Sequence, residues 1–593
     1  MAPNATALVC TKLDKMLLDF SEDEQALDKD ADDGHRFFLG ILEEACNLAR
    51  ATDRTDPDFA DIVARISQTL NGALDLAYGK VDFDFLPSFA HSEDYPLLKG
   101  PRKDKHIFPH RMKELLELME RMMAKRPAAV AEDDSDERPR LPDPWQTTPR
   151  LHPLSTPLSR FEADAACPSG ASLLVRAIYE ARCEISSDRV NFPINIINTG
   201  SCLAMPSSGG YKSRSPLLTY YLFDDSADGD FPLQAHHASV GLSDIAYSAA
   251  GDDQRKLIFT GEIYKKGLPR HTLSTSEHHG PISVLPSGRF LRTGKGSAGV
   301  WNIEELKTHG PRGNKRVGSK YDTSGSWRDE DEVIEDSSGS KPTSVIKFAD
   351  AKLTPATWHL HPNLPGTMLC GQDPKKSGDY SCFSLDLEHG GTVVDRYLGH
   401  GGEIDAFSTS DGDPNVFLTA AGDGHVRLYD VRLTLPVLSL CPGSGSESCR
   451  AGVIVHPDGV PTIFTGAARD EVIRLWDVRA RKMVYELSTG NSEVTGMTWD
   501  AKNSALYVST NCEYMDRNGY TNDYRKAHIP KDARHHYDST PCWPNKAEHA
   551  EDYFGHVFDA GNHRIFRYAF KDQADPSILP EYGDATTRSA PYW

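Results

Sequence analysis

The chain has no run of about 18 apolar residues, which excludes a hydrophobic membrane-spanning helix. Its amino end, MAPNATALVCTKLDKMLLDF, lacks a basic stretch followed by an apolar one, so no secretory signal is expected. Cysteine gives no framework either: the 11 residues are scattered and odd in number, which argues against structural disulfides and for a reducing compartment, cytoplasm or nucleus. Positive charge is in deficit, with 65 Lys and Arg against 86 Asp and Glu, a formal charge of -21. A surface of that sign repels a phosphate backbone, so general nucleic-acid binding is not expected. What the chain does have is length and a core: 593 residues, 39% of them hydrophobic, enough for several domains or one large repeat array.

The amino-terminal part, residues 1–128, carries helical spacing. Leu8, Val9, Leu13, Met16, Leu17 and Phe20 form one apolar stripe, and Ser21 with Glu24 reads as a capping box that opens a new helix. A second stripe holds Phe37, Phe38, Ile41, Leu42, Ala45 and Leu48. A third follows Asp56-Pro57 with Phe59, Ile62, Val63, Ile66 and Leu70, and Asn71-Gly72 reads as its stop. A Met-rich fourth stripe covers 111–125; packing explains it better than an adaptable partner groove. Residues 129–170 are acidic and proline-rich at their start and read as a linker.

From about 171 to 575 the chain repeats. VFLTAAGDGHVRLYDVR (416–432) aligns with IFTGAARDEVIRLWDVR (463–479), and Tyr429 and Trp476 lie 47 residues apart. Leu385 stands 44 residues before Tyr429, and Gly399-His400 precedes Gly422-Asp423 by about 20. These spacings are those of four-stranded propeller blades. One such blade cannot bury both faces, whereas a closed ring buries each on its neighbours.

The segments resemble WD40 repeats, on Gly399-His400 with Tyr429-Asp430, on Trp476-Asp477, and more weakly on Trp301-Asn302 and Tyr568. The resemblance implies a mainly β fold, a seven-bladed propeller behind the helical region, phased as 172–224, 232–268, 275–306, 343–388, 397–440, 448–487 and 491–572, with a tail at 576–593. It also implies a structural hydrogen-bonded network of His400, Thr419, Asp423 and Tyr429, the last in place of the usual Trp. The sixth unit has Thr465, Asp470 and Trp476 but no Gly-His. Two insertions interrupt the units: a polar one at 307–342, basic then acidic, and an aromatic and His-rich one at 511–555, expected to pack over one face of the ring.

Chemical motifs are sparse. His535-His536, His549, Cys512 and Cys542 lack a recognised ligand spacing, and His359 and His361 are expected to cap the following Pro-Asn-Leu-Pro turn, so no metal and no cofactor are expected. Gly294, Gly296 and Gly299 match G-x-G-x-x-G but run into a strand, not a helix, which argues against a dinucleotide. No nucleophile–base constellation is visible, so an enzyme using a propeller pocket is the lesser reading, and a non-enzymatic protein-interaction scaffold the main one.

The most specific feature is the repeated ending Asp430-Val431-Arg432 and Asp477-Val478-Arg479. It is similar to the motif of WD40 substrate receptors that dock on the damaged-DNA-binding adaptor of cullin-4 ubiquitin ligases. The resemblance implies that Asp430, Arg432, Asp477 and Arg479 contact that adaptor; a chromatin or signalling adaptor without a ligase link is the alternative.

Overall fold

A computed structural model of the chain describes most of residues 152–575, together with 5–22, 59–78, a few residues between those helices, 97–99 and 578–579. Strands dominate. Among the described residues they form seven sheets of four or five strands and one two-stranded ribbon. Six of the sheets are regular blades of four antiparallel strands, at 250–272, 282–347, 355–397, 404–441, 451–488 and 493–570. The last takes its outer strand from far earlier in the chain: Cys183–Arg189 pairs along its whole length with Arg564–Phe570. This closes the ring with a strand that precedes every other blade.

The expected seven regular units are therefore six. The remaining sheet, at 192–239, has a broken inner edge: Phe192–Pro193 and Ile197–Asn198 pair separately with Cys202–Gly209. The break falls opposite Pro206: Ile194 N donates to Pro206 O at 3.0 Å, but proline has no N–H to return the bond, and the register slips by one before Ile197 faces Ala204. The expected phasing shifts accordingly. Cys183–Arg189 belongs to the last blade and Ala235–Ser239 to the irregular sheet, while Ser344–Lys347, beyond the polar insertion, is the outer strand of the 282–347 blade.

Each blade alternates large apolar side chains into its neighbours. Leu291, Val300, Trp358, Met368 and Phe383 are buried together between the third and fourth sheets. Leu418, Leu428, Ile454, Ile463 and Trp476 fill the space between the fifth and sixth.

The amino-terminal segments follow the outside of the ring. Helix Phe59–Tyr78 lies beside strand Thr392–Tyr397 of the fourth sheet, Leu97–Lys99 adds in parallel to Leu438–Cys441 of the fifth, and Ser159–Phe161 adds to Lys482–Ser488 of the sixth. Helices Ala5–Glu22 and Phe59–Tyr78 stand where the first and third stripes predict them, with Leu13, Phe20, Ile66 and Leu70 buried. Phe38, Ile41, Ala45 and Leu48 of the second stripe are helical and buried too. Two terminus signals fail. Ser21 lies in the last turn of the first helix, its hydroxyl donating to Leu18 O at 2.7 Å, so it opens no new helix. The third helix runs through Asn71-Gly72 to Tyr78, because Gly72 is a packing residue: a Cβ there would sit 3.2 Å from Leu17 Cδ2. The 111–125 stripe lies outside the described residues, as does most of the 129–170 segment. Among the described residues no helix is long and apolar enough to cross a membrane.

Candidate functional site: two ends of the ring

Strand order fixes which loops share an end. Turns between the second and third strands of each blade lie at one end of the ring; turns between the third and fourth lie at the other.

The first end holds the signature network. His400 Nε2 lies 3.0 Å from Thr419 Oγ1, and the Tyr429 hydroxyl donates to Leu398 O at 2.7 Å with its ring stacked on His400. Burial, followed by the nearby Arg427 charge, pushes His400 down to about 3, so the imidazole is neutral. Gly399, at φ +119°, admits this approach, since a Cβ would meet Tyr429 Oη at 3.3 Å. Asp423 has a partner absent from the sequence expectation: Arg427, fully buried, donates to both its oxygens at 3.1 and 2.6 Å. Burial raises the Asp423 carboxyl, but Arg427 and His425 outweigh it and hold the group well below the usual range.

The sixth sheet manages without Gly-His. Trp476 Nε1 donates to Thr465 Oγ1 at 2.9 Å, and Asp470 pairs with buried Arg474, which also donates to Glu486 at 2.9 Å. The aromatic insertion completes this blade from above. The Tyr514 hydroxyl donates to Glu471 Oε1 at 2.7 Å, Glu548 N to Glu471 Oε2 at 2.9 Å, and the Tyr553 hydroxyl to Glu486 Oε2 at 2.9 Å. His549 Nε2 bonds Asp470 O at 2.9 Å, and Arg160 lies over the Tyr553 ring. On the last blade, the Tyr524 hydroxyl donates to buried Asp559 at 3.1 Å. The described parts of the insertion thus cap the sixth and last blades; His528, His535, His536 and Tyr537 lie outside the described residues.

Trp301 plays a different part, its indole donating to Ser340 O at 2.8 Å at the far side of the polar insertion. His361 Nδ1 accepts from Asn363 N and Leu364 N, at 3.4 and 3.2 Å, and caps that turn, whereas His359 reaches across to Thr409 Oγ1 at 3.0 Å. Gly294 to Gly299 form a hairpin between Arg289–Gly294 and Ser297–Asn302, not a strand-to-helix turn. Among the described residues no group of three or more His, Cys, Asp or Glu could hold a metal ion.

The opposite end carries the Asp-x-Arg pairs. Asp430 Oδ1 accepts from Arg432 N at 2.9 Å, and Asp477 Oδ1 from Arg479 N at 2.8 Å and Ala480 N at 3.0 Å. The same carboxylate turn recurs at Asp386, and Asn302 makes it with an amide. The aspartates therefore cap turns. The arginines are held outward on them: Arg432 Nε donates to Asp430 at 2.8 Å with its side chain 68% exposed, and Arg479 Nη2 lies 3.3 Å from Asp477 at 46%. Two residues escaped sequence reasoning at this end, His389 and Lys571, because neither follows an aromatic-Asp-x-Arg string.

A ring of four-stranded antiparallel sheets makes the chain a mainly β propeller, and the His–Thr–Tyr network and the Trp–Thr pair stand at the positions that the WD40 resemblance assigns them. No protein-family model matches the chain, and no curated protein is similar to it. Among solved structures, the WD40 β-propeller domain of Doa1 is similar at 12% identity and a TM-score of 0.36, over 55% of this chain and 93% of that one.

Proposed function

We propose that this propeller is a protein-interaction scaffold and, more specifically, a substrate receptor of a cullin-4 ubiquitin ligase that docks on the damaged-DNA-binding adaptor through Arg432 and Arg479. In this reading residues 171–575 form one propeller, with the irregular 192–239 sheet acting as its seventh blade. One observation carries it: two exposed arginines occupy the same position in adjacent blades, each pre-positioned by the aspartate two residues before it. A guanidinium so held loses little freedom on meeting a partner's carboxylate or carbonyls. The insertion caps the other end, so a client bound there leaves the arginine end open to the adaptor.

The test is affinity purification from the native host with wild type beside an Arg432→Glu, Arg479→Glu double variant of unchanged thermal stability. Recovery of the cullin-4 adaptor by wild type alone supports the receptor. Equal recovery by both, or by neither, sinks it and leaves a chromatin or signalling adaptor as the reading to pursue.

A further inference from the structure

The arginine pair is part of a longer row. In the last blade Tyr568 occupies the signature aromatic position, its hydroxyl donating to Ser488 O at 2.6 Å as Tyr429 does to Leu398 O. Three residues on, where the fifth and sixth sheets have Arg432 and Arg479, stands Lys571, ion-paired with Glu184 and 45% exposed. In the fourth sheet Leu385 takes the aromatic position and Asp386 the turn-capping one. There the arginine position itself is the exposed acid Glu388, and a base comes one residue later: His389 Nδ1 lies 2.8 Å from Asp386 Oδ2 with its ring 80% exposed. In the third sheet Glu304, 70% exposed and bonded to Arg255, is followed by a second acid, Glu305, where the fourth has His389, so no base extends the row there. Four consecutive blades thus hold a basic side chain out at one end of the ring, each on a carboxylate: three permanent cations, and in the fourth sheet a histidine beside the exposed Glu388.

The row is not uniformly polar. Leu364, 40% exposed, lies in the turn that His361 caps, and Leu433, 42% exposed, follows Arg432. Asn363 Nδ2 lies 3.4 Å from Asn415 Oδ1, which ties the turns of the fourth and fifth sheets together at this end.

We propose that the docking surface extends beyond the arginine pair over four blades, with His389 and Lys571 as further contact residues, and that it takes a protein face carrying several carboxylates beside apolar side chains. This rests on the receptor reading above and adds the chemistry of the face that meets the propeller. Charge complementarity selects that partner: the side chains offered are three cations, Arg432, Arg479 and Lys571, and a histidine that becomes a fourth when protonated, with two leucines among them and a single acid, Glu388, beside the histidine. His389 adds a condition. Asp386 holds Nδ1, so Nε2 is the atom left for a partner; it accepts when the ring is neutral and donates to a carboxylate only when the ring is protonated. Asp386, through its hydrogen bond and charge, and then Glu388 raise His389 above its ordinary value. Docking therefore tightens as the pH falls through that raised value.

The experiment measures binding of the purified cullin-4 adaptor to the full chain at about pH 6 and about pH 8.5. Variants are His389→Gln, His389→Glu, Lys571→Gln, the double arginine variant and, as a control on the insertion at the other end, Lys526→Gln. Expected are about threefold weaker binding for each of His389→Glu and Lys571→Gln, slower association with rising salt, and loss of the pH dependence in His389→Gln. Asp386→Asn keeps the turn, as Asn302 does in the third sheet, and moves the pH profile to lower values. If the adaptor binds wild type and the arginine variant abolishes binding, while His389 and Lys571 variants match wild type at both pH values, the extended row is wrong and the receptor reading stands. If wild type fails to bind at either pH, both fall.

Discussion

Tyr429 and Trp476 occupy the same position in adjacent blades but satisfy their polar atoms through different partners: Tyr429 donates to the Leu398 carbonyl, Trp476 to the Thr465 hydroxyl. The threonine equivalent to Thr465 is Thr419, which His400 engages instead. All of these side chains are buried. Tyr429→Phe and Trp476→Phe each leave a buried acceptor or hydroxyl unserved and should cost roughly 1–3 kcal/mol, the indole variant adding a packing loss. Urea denaturation of each variant checks this, and a change below about 0.5 kcal/mol for both would show that the networks are incidental.

Arg474 should matter more than either. It is buried between Asp470 and Glu486, and Glu486 in turn accepts from Tyr553 of the insertion. Arg474→Met leaves two buried carboxylates facing each other, a loss on the order of 3–5 kcal/mol. Hydrogen exchange should rise first at 542–557, since the insertion loses its anchor before the blade opens. Uniform exchange across the ring would show that the insertion does not depend on this pair.

His400 sets an acid limit. Its folded value, about 3, is depressed by burial and then by Arg427, below the ordinary 6.5. A histidine so depressed contributes stability that is complete above 6.5 and is lost as pH falls through the interval down to about 3. His400→Gln should be less stable near neutrality yet lose less between about pH 6.5 and about pH 4 than wild type does. Parallel stability curves for the two proteins would count against a neutral, buried His400.

The fifth and sixth sheets were legible because their strands alternate strongly and end in aromatic-Asp-Val-Arg, a local pattern. The closing strand was not. Cys183–Arg189 reads as the start of the first unit, and only its pairing with Arg564–Phe570, almost 400 residues later, assigns it to the last. Ser344–Lys347 was hidden by the polar insertion before it, and Arg427 by lying between signature residues as an ordinary polar position of a strand. Asn71-Gly72 misled because glycine serves two purposes, ending helices and letting them approach, and the sequence does not distinguish them. At the Asp-x-Arg end the two arginines were found by repetition, whereas His389 and Lys571 share only a place in the blade.

The closing strand can be tested by removal. A chain beginning after residue 190 lacks Cys183–Arg189, helix Leu173–Tyr179, into which the Tyr485 hydroxyl donates at Ile178 O, and the outer segments Ser159–Phe161, Leu97–Lys99 and the two amino-terminal helices; a chain beginning at residue 152, which keeps Ser159–Phe161 and the closing strand, is the control. The last blade then has an unpaired edge and the ring an open seam, so this truncation should fail to unfold cooperatively and should aggregate. Adding residues 152–190 as a separate peptide should restore part of the cooperative transition. A fully cooperative truncation would show that closure does not depend on this strand.

The cap formed by the insertion responds to pH in the opposite sense to His400. Burial pushes the Asp559 carboxyl up to about 7, against the hydrogen bonds from Asn491 and Tyr524 that favour its ionised form. Glu471, beneath Tyr514, is raised in the same direction by burial. A carboxyl raised in the folded state contributes stability that is complete below its unfolded value, near 3.8 for Asp559, and is lost as pH climbs through about 7. Hydrogen-exchange protection of 511–527 and 542–557, corrected for intrinsic rates, should therefore fall between about pH 5 and about pH 8 while the 404–441 blade stays protected. Asp559→Asn keeps the shape, removes the charge and should flatten most of that slope, leaving the share due to Glu471. An unchanged slope in Asp559→Asn would place the pH response on another group, and a slope shared by the whole ring would mean that the cap and the propeller open as one unit.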